Sequence, residues 1–363
     1  MQKITFPQRD AGEFLDELKR RVSEYFSDRG ISDKANAEMV VKTILILAMT
    51  FGSYALILTN AFSPLTMLGF VFVIGVGMAG IGFCVAHDAL HGAYSSRPWV
   101  NTVFGLFFDV AGANGYMWKL THNVIHHTYT NIHGVDEDLT VSPLLRLSPH
   151  TPHRWFHRIQ HWYAFLAYAF ATINWVFVKD YQYFFRRNLG PYKNIRHPRS
   201  QFVMLFVLKA VYYAWTIVIP LLVLNVTWWQ FLIGFLVFQV TAGFILGIVF
   251  QLAHVVEHTD HPLPDSEGNM NLAWTIHELE TTSDFGRTNR LLSWYVGGLN
   301  YQIEHHLFPK VCSIHYPAIS RIVQSTAEKY GFRYNHHRTM REAVVSHYRV
   351  LKKLGPEWVQ NKQ

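Results

Sequence analysis

The sequence predicts an all-α integral membrane protein: four transmembrane helices in two hairpins, a helical domain on the cytoplasmic side, and two helices lying in the membrane interface. Three observations carry this. Half of the 363 residues are hydrophobic and only 16% are charged, against about 25% in an ordinary soluble chain. The missing charge leaves long gaps: no Lys or Arg lies between Lys42 and Arg97, and no charged side chain lies from Ala210 to Val256. Such tracts are too long for the buried elements of one soluble core, whereas a bilayer accommodates them. Finally, Lys and Arg avoid both short links between neighbouring apolar segments, which orients the chain.

Residues 1–38 are charged and amphipathic, with no apolar core before a small-residue cleavage site, so they read as a cytoplasmic segment and not as a signal peptide. One domain follows, 39–363. Its first hairpin joins spans of about 39–59 and 64–86 through NAFSP, and its second joins 202–224 and 229–253 through NVTW. Each link is only long enough to reverse direction, and each span covers about 30 Å of hydrocarbon. The positive charge therefore places both termini and the middle region on the cytoplasmic side. Val103–Trp118 is short and contains Asp109, and 161–178 is rich in aromatics. Both read as interfacial helices; the alternative for 161–178 is a fifth span.

Composition also limits the function. The two cysteines, Cys84 and Cys312, stand far apart and form no disulfide framework or thiolate metal site. The net charge of +7 comes without a basic cluster interleaved with aromatics. Anionic headgroups therefore explain it better than nucleic acid.

The 21 histidines are the informative residues. HDALH (His87, His91) lies where the second span leaves the membrane. HNVIHH (His122, His126, His127) follows, HVVEH (His254, His258) ends the fourth span, and QIEHH (Gln302, His305, His306) comes later. Residues at i and i+4 share a helix face, and the neighbour of such a residue swings about 100° around the axis and can reach a second centre. With the topology above, all four clusters converge on one side of the membrane. Neutral imidazole suits iron, zinc, copper and nickel. So many imidazoles exceed the three or four protein ligands of a zinc site, and two metals are the economical reading. Asp88, Glu304, Asp136 and Asp138 are near enough to accept the free N–H of a ligating ring. His258 remains a further candidate ligand.

HDALH, HNVIHHTYTN and QIEHHLFP closely resemble the three histidine boxes of the membrane-bound fatty acid desaturases, and the likeness runs from about Leu45 to Tyr334. The resemblance implies a cytoplasmic di-iron domain that uses O2 and two electrons to remove two hydrogens from an acyl chain carried on a lipid or on coenzyme A. It gives His87, His91, His122, His126, His127, His305 and His306 as iron ligands, with His254 as the extra ligand near the end of the fourth span. Gln302, where many members have histidine, is similar to the front-end branch, which inserts a double bond between an existing one and the carboxyl end. It could ligate weakly, act through water or only hydrogen-bond. Many front-end enzymes carry a fused haem-binding cytochrome domain. The segment before the first span is too short for one, so the expected donor is a separate ferredoxin or b-type cytochrome.

Breaking an unactivated C–H bond is beyond any side-chain acid or base and requires a cofactor, which the protein positions. An apolar tunnel should hold the chain, with Trp118 and Trp162 as candidate lining. Arg186, Arg187 and Lys193 are candidates for a coenzyme A phosphate or lipid headgroups. Relatives with the same boxes act as hydroxylases, ketolases or acetylenases, and a four-span metal transporter is the reading from another class. Transport predicts ionisable groups deep in the spans. Lys42 and Lys209 are the only candidates, each near one end of its span.

Overall fold

A computed structural model describes residues 4–7, 12–139 and 143–356. Among them four helices are long and apolar enough to cross a membrane: α2 (Ala37–Leu58), α3 (Pro64–Leu90), α7 (Arg199–Val223) and α8 (Trp228–His254). They match the four spans read from the sequence. Each hairpin turn is set locally. Asn60 takes the left-handed conformation at φ 55°, and Ser63 caps α3 ahead of Pro64, the arrangement in which proline's missing N–H costs nothing. Thr227 and Gln230 form a capping box on α8. The two turns also brace each other, since Asn60 donates to the Val223 carbonyl and accepts from the Asn225 N–H, at 2.9 and 2.8 Å. Both turns therefore lie at one end of the bundle, and His87 and His254 lie toward the other.

Helix α3 occupies the centre, against α2 and α8. Close approach depends on small residues, as is usual where helices pack without a hydrophobic driving force. A Cβ on Gly77 would strike the Thr50 hydroxyl, and one on Gly75 would come within 2.7 Å of the Thr241 Cβ. Outside the bundle, α1 (Gly12–Arg29) buries Phe14, Leu18, Val22 and Phe26, spaced four apart on one face. They pack on Ile319, Val323 and Ala327 of α11 (Tyr316–Lys329).

The two segments expected to lie in the interface are helical, and both are interrupted. The first is split into α4 (Pro98–Val110) and α5 (115–126) by a turn at Gly112. The second is split into α6 (Gln160–Ala169) and a helical run over 171–185. At 1.5 Å per residue the ten residues of α6 reach only about 15 Å, half of what a crossing needs, and 161–178 is not among the four candidate spans of the described residues. Further helices include α9 (Trp274–Thr281), α10 (Gln302–Leu307) and α12 (Met340–Leu354). A short pairing departs from an all-α chain: β1 (Asp284–Phe285) pairs in parallel with β2 (His336–His337).

Lys209 corrects a second expectation, because it lies near the middle of α7 and not near one end. It is nonetheless fully satisfied. Its ammonium donates to Asp180 at 2.7 Å and to the carbonyls of Gly112 and Val176 at 2.6 and 2.7 Å. This ties α7 to the turn after α4 and to the 171–185 run, so the charge serves as a brace. Lys209→Met would strand the buried Asp180 carboxylate, which typically costs about 3–5 kcal/mol. The expected result is a lower unfolding temperature in detergent, with the metal content of the folded fraction unchanged. A wild-type melting curve would refute the brace.

Candidate metal centre

Local winding sets the direction of the imidazoles. Residues Ile81–Ala86 and Lys119–His126 are π-helical, so the His87 N–H reaches back to Gly82 and the His127 N–H reaches His122 at 3.0 Å, each five residues away. In an α-helix His122 and His127 would point about 140° apart. The extra residue in the turn brings them round to face each other, with Nε2 atoms 3.3 Å apart. Such widened turns are common at functional sites.

The eight histidines expected from the three boxes and His254 come together, and each is less than a tenth exposed. Their ring nitrogens form overlapping groups within 4.8 Å that could hold a metal ion. His87, His91, His122 and His305 make one; His126, His254 and His306 make a second; His127, His305 and His306 make a third. His126 and His127 thus serve different groups, as expected of neighbours on a helix.

Most of the rings are tethered at one nitrogen. His122 Nδ1 is 2.9 Å from Asp138, His126 Nδ1 is 2.9 Å from Asp136, and His306 Nδ1 is 2.7 Å from Glu278. His305 Nδ1 is held by the Tyr316 hydroxyl and His254 Nδ1 by the Thr281 carbonyl. The opposite nitrogens of His126 and His305, together with His91 Nε2, His87 Nδ1 and His127 Nδ1, are buried with no hydrogen-bond partner. Buried polar atoms are ordinarily satisfied. Tethering at one nitrogen and an orphan at the other is the pattern that oriented metal ligation requires, so the residues present fit a metal group. Burial, reinforced by neighbouring imidazoles, pushes His91, His127, His305 and His306 far below the usual histidine range. His122 is pushed down to about 3, chiefly by burial and against the pull of Asp138. All five are neutral near pH 7, the form that offers a lone pair.

Gln302 sits among these rings, its amide 3.1 Å from His254 Nε2 and 3.4 Å from His306 Nε2. Three sequence expectations change. His258 is exposed, at φ 77°, outside every group. Glu304 accepts from Tyr334 at 2.9 Å and tethers no ring. Asp88 stops 3.6 Å from His87 and instead accepts from Ser313 and Cys312. Sequence reasoning also missed Glu278 and Asn131. The Asn131 amide donates to the carbonyls of His254, Asp260 and Thr281, joining the second box to the end of α8. Glu278 belongs to no histidine spacing, and Asn131, although it closes the stretch HNVIHHTYTN, has partners that lie on distant segments.

An apolar cavity of about 420 Å³ reaches the cluster at His87, His122 and Gln302. Gly82, Trp118, Leu145, Trp175 and Phe250 are among its walls. Trp118 stacks on His122 with ring centroids 4.3 Å apart, in agreement with its expected place. Trp162 does not line the cavity and is 72% exposed.

The family model for "Fatty acid desaturase" matches residues 62–338. Similar curated proteins include the sn-1 linoleoyl-lipid 6-desaturase of Arthrospira platensis, 36% identical over 97% of this chain and 95% of that one. The protein of the same name from Synechocystis sp. is 34% identical over 98% of both chains. The acyl-lipid (8-3)-desaturase of Physcomitrium patens is 32% identical over 98% of this chain and 74% of its own length.

Proposed function

The chain belongs to the fatty acid desaturase family, and we propose that it is a front-end acyl-lipid desaturase working through two irons. It is an oxidoreductase that acts on acyl chains in a lipid setting. The observation that carries the finer reading is the meeting of the apolar cavity with the histidine cluster at His87, His122 and Gln302. His87, His91, His122, His126, His127, His254, His305 and His306 would hold the irons. Gln302 acts beside His254 and His306, as a weak ligand or through water, and Asp136, Asp138 and Glu278 orient the rings. When bound, the metals supply the oxidising power, with O2 and two electrons, that removes two hydrogens from an unactivated chain.

The chain's own residues supply the placement. The cavity walls select an apolar chain and exclude water, which strengthens the polar contacts around the cluster. Trp118, fixed against His122, limits where along its length the substrate passes the histidines. The relatives named for linoleoyl-lipid substrates support a lipid-linked diene, with the new double bond on the carboxyl side of the existing ones. The histidine end of the bundle is cytoplasmic on this reading, and α4 and α6 lie in the interface with Trp99 and Trp162 exposed toward headgroups. Arg186, over the Tyr183 ring and 3.5 Å from Glu137, is braced within the protein. Arg187 and Lys193 are exposed beside that surface. The two electrons would be supplied by a donor of the ferredoxin or b-type cytochrome class.

The test is expression in a host with its own reductants, fed oleate or linoleate, with fatty methyl esters analysed by gas chromatography–mass spectrometry. The expected product is a triene from linoleate with its new double bond nearer the carboxyl group. A hydroxylated, keto or acetylenic product would overturn desaturation. A double bond on the methyl side would overturn the front-end assignment alone.

A further inference from the structure

The acyl cavity has a cationic wall residue that its apolar task does not explain. Lys179, in the helical run over 171–185, lines the cavity and is only 9% exposed. Its ammonium lies over the rings of Trp175 and Tyr183, 4.9 and 5.2 Å from their centroids. Removing an ammonium from water is expensive unless an opposite charge receives it. Here Asp138 does so, its Oδ1 lying 3.3 Å from Lys179 Nζ. The other oxygen of that carboxylate, Oδ2, is 2.9 Å from His122 Nδ1. Three buried groups thus form one line from the substrate cavity to the cluster.

We propose that Lys179 is a positioning residue for the metal centre, acting through Asp138 on His122. It rests on the metal centre described under the proposed function. The carboxylate of Asp138 is held at both oxygens, by Lys179 on one and His122 on the other, so its plane is fixed. A fixed acceptor at Nδ1 fixes the imidazole, and with it the Nε2 lone pair that faces His127. Lys179 also balances negative charge close to a second acid, because the Asp138 N–H donates to Asp136 Oδ1 at 3.0 Å. Without the ammonium, Oδ1 of Asp138 loses its partner inside a water-poor cavity, and the carboxylate can turn away from His122. The lysine is therefore in the wall for the sake of the histidine, and an acyl chain in the cavity covers the ion pair and keeps it dry.

The experiment is a cobalt(II) titration of the metal-free protein in detergent, followed by its absorption spectrum, for the wild type and for Lys179→Met, Lys179→Gln and Lys179→Arg. The expected result is two sites in the wild type. In Lys179→Met and Lys179→Gln one site should weaken roughly 10–100-fold, the usual effect of losing a partner behind a ligating ring, with an altered spectrum. Lys179→Arg, which keeps the charge, should restore most of the affinity. If Lys179→Met does not fold, Lys179→Gln carries the comparison, and circular dichroism and gel filtration identify that case. Wild-type affinity and spectrum in the folded neutral variants would overturn the proposal. So would an arginine variant as weak as the neutral ones, because charge would then not be the agent. A wild type that binds no cobalt would instead sink the metal-centre reading itself.

Discussion

His306→Ala is expected to lower desaturated product more than about 100-fold and to strip the purified protein of iron, whereas His258→Ala leaves both at wild-type levels. Loss of a partner behind a ligand already costs 10–100-fold, and loss of a ligand should cost more. His306, like His305, belongs to two of the groups that could hold a metal, so its loss touches both. Its ring stacks on His127 at 4.3 Å and lies 5.0 Å from both His126 and His254. Alanine would leave the Glu278 carboxyl without its imidazole in a fully buried site, adding a desolvation penalty of about 1–3 kcal/mol. Product is read from fatty methyl esters and iron by elemental analysis of purified protein. Retention of a tenth of wild-type product by His306→Ala would refute its role. The His258 control separates geometry from sequence, since both residues stood in histidine pairs and only one reaches the cluster.

Much of this was legible because the signals were local. Charge-free tracts delimit the apolar helices, and the i, i+4 histidine spacings mark most of the clustered rings, His258 excepted; both are properties of one helix. What could not be read depends on contacts between segments. The π-turn that brings His127 to His122 leaves no mark in HNVIHH. Glu304 adjoins His305 in sequence, yet its carboxylate points to Tyr334, because neighbours on a helix face different directions. Lys209 is charged in an apolar helix, and only its partner Asp180, on another segment, shows it to be a brace. Periodicity also could not show that 161–178 is interrupted near Phe170, since aromatics and alanines are apolar in either arrangement.

Glu278 gives the sharpest test of that distinction. It lies on α9, fully buried, and burial raises its carboxyl well above the ordinary glutamate range. A carboxyl in that position tends to be neutral until a cation arrives nearby, so binding metal at His306 and ionising Glu278 favour each other. One of its oxygens accepts from His306 Nδ1 at 2.7 Å and from the Thr130 hydroxyl at 2.9 Å, and the other has no hydrogen-bond partner. Glu278→Gln keeps the shape and an acceptor but cannot take up negative charge, whereas Glu278→Leu removes the acceptor as well. The expected order of iron affinity and of product is wild type, then Gln, then Leu, with Leu weaker than wild type by roughly 10–100-fold. Glu304→Gln, the same change at the acid that sequence proximity favours, should leave iron binding within a few-fold of wild type, about the scatter expected for a group that tethers no ring. Equal losses in Glu278→Gln and Glu304→Gln, measured as iron retained against a chelator, would mean that buried charge in general, and not the tether on His306, governs the centre.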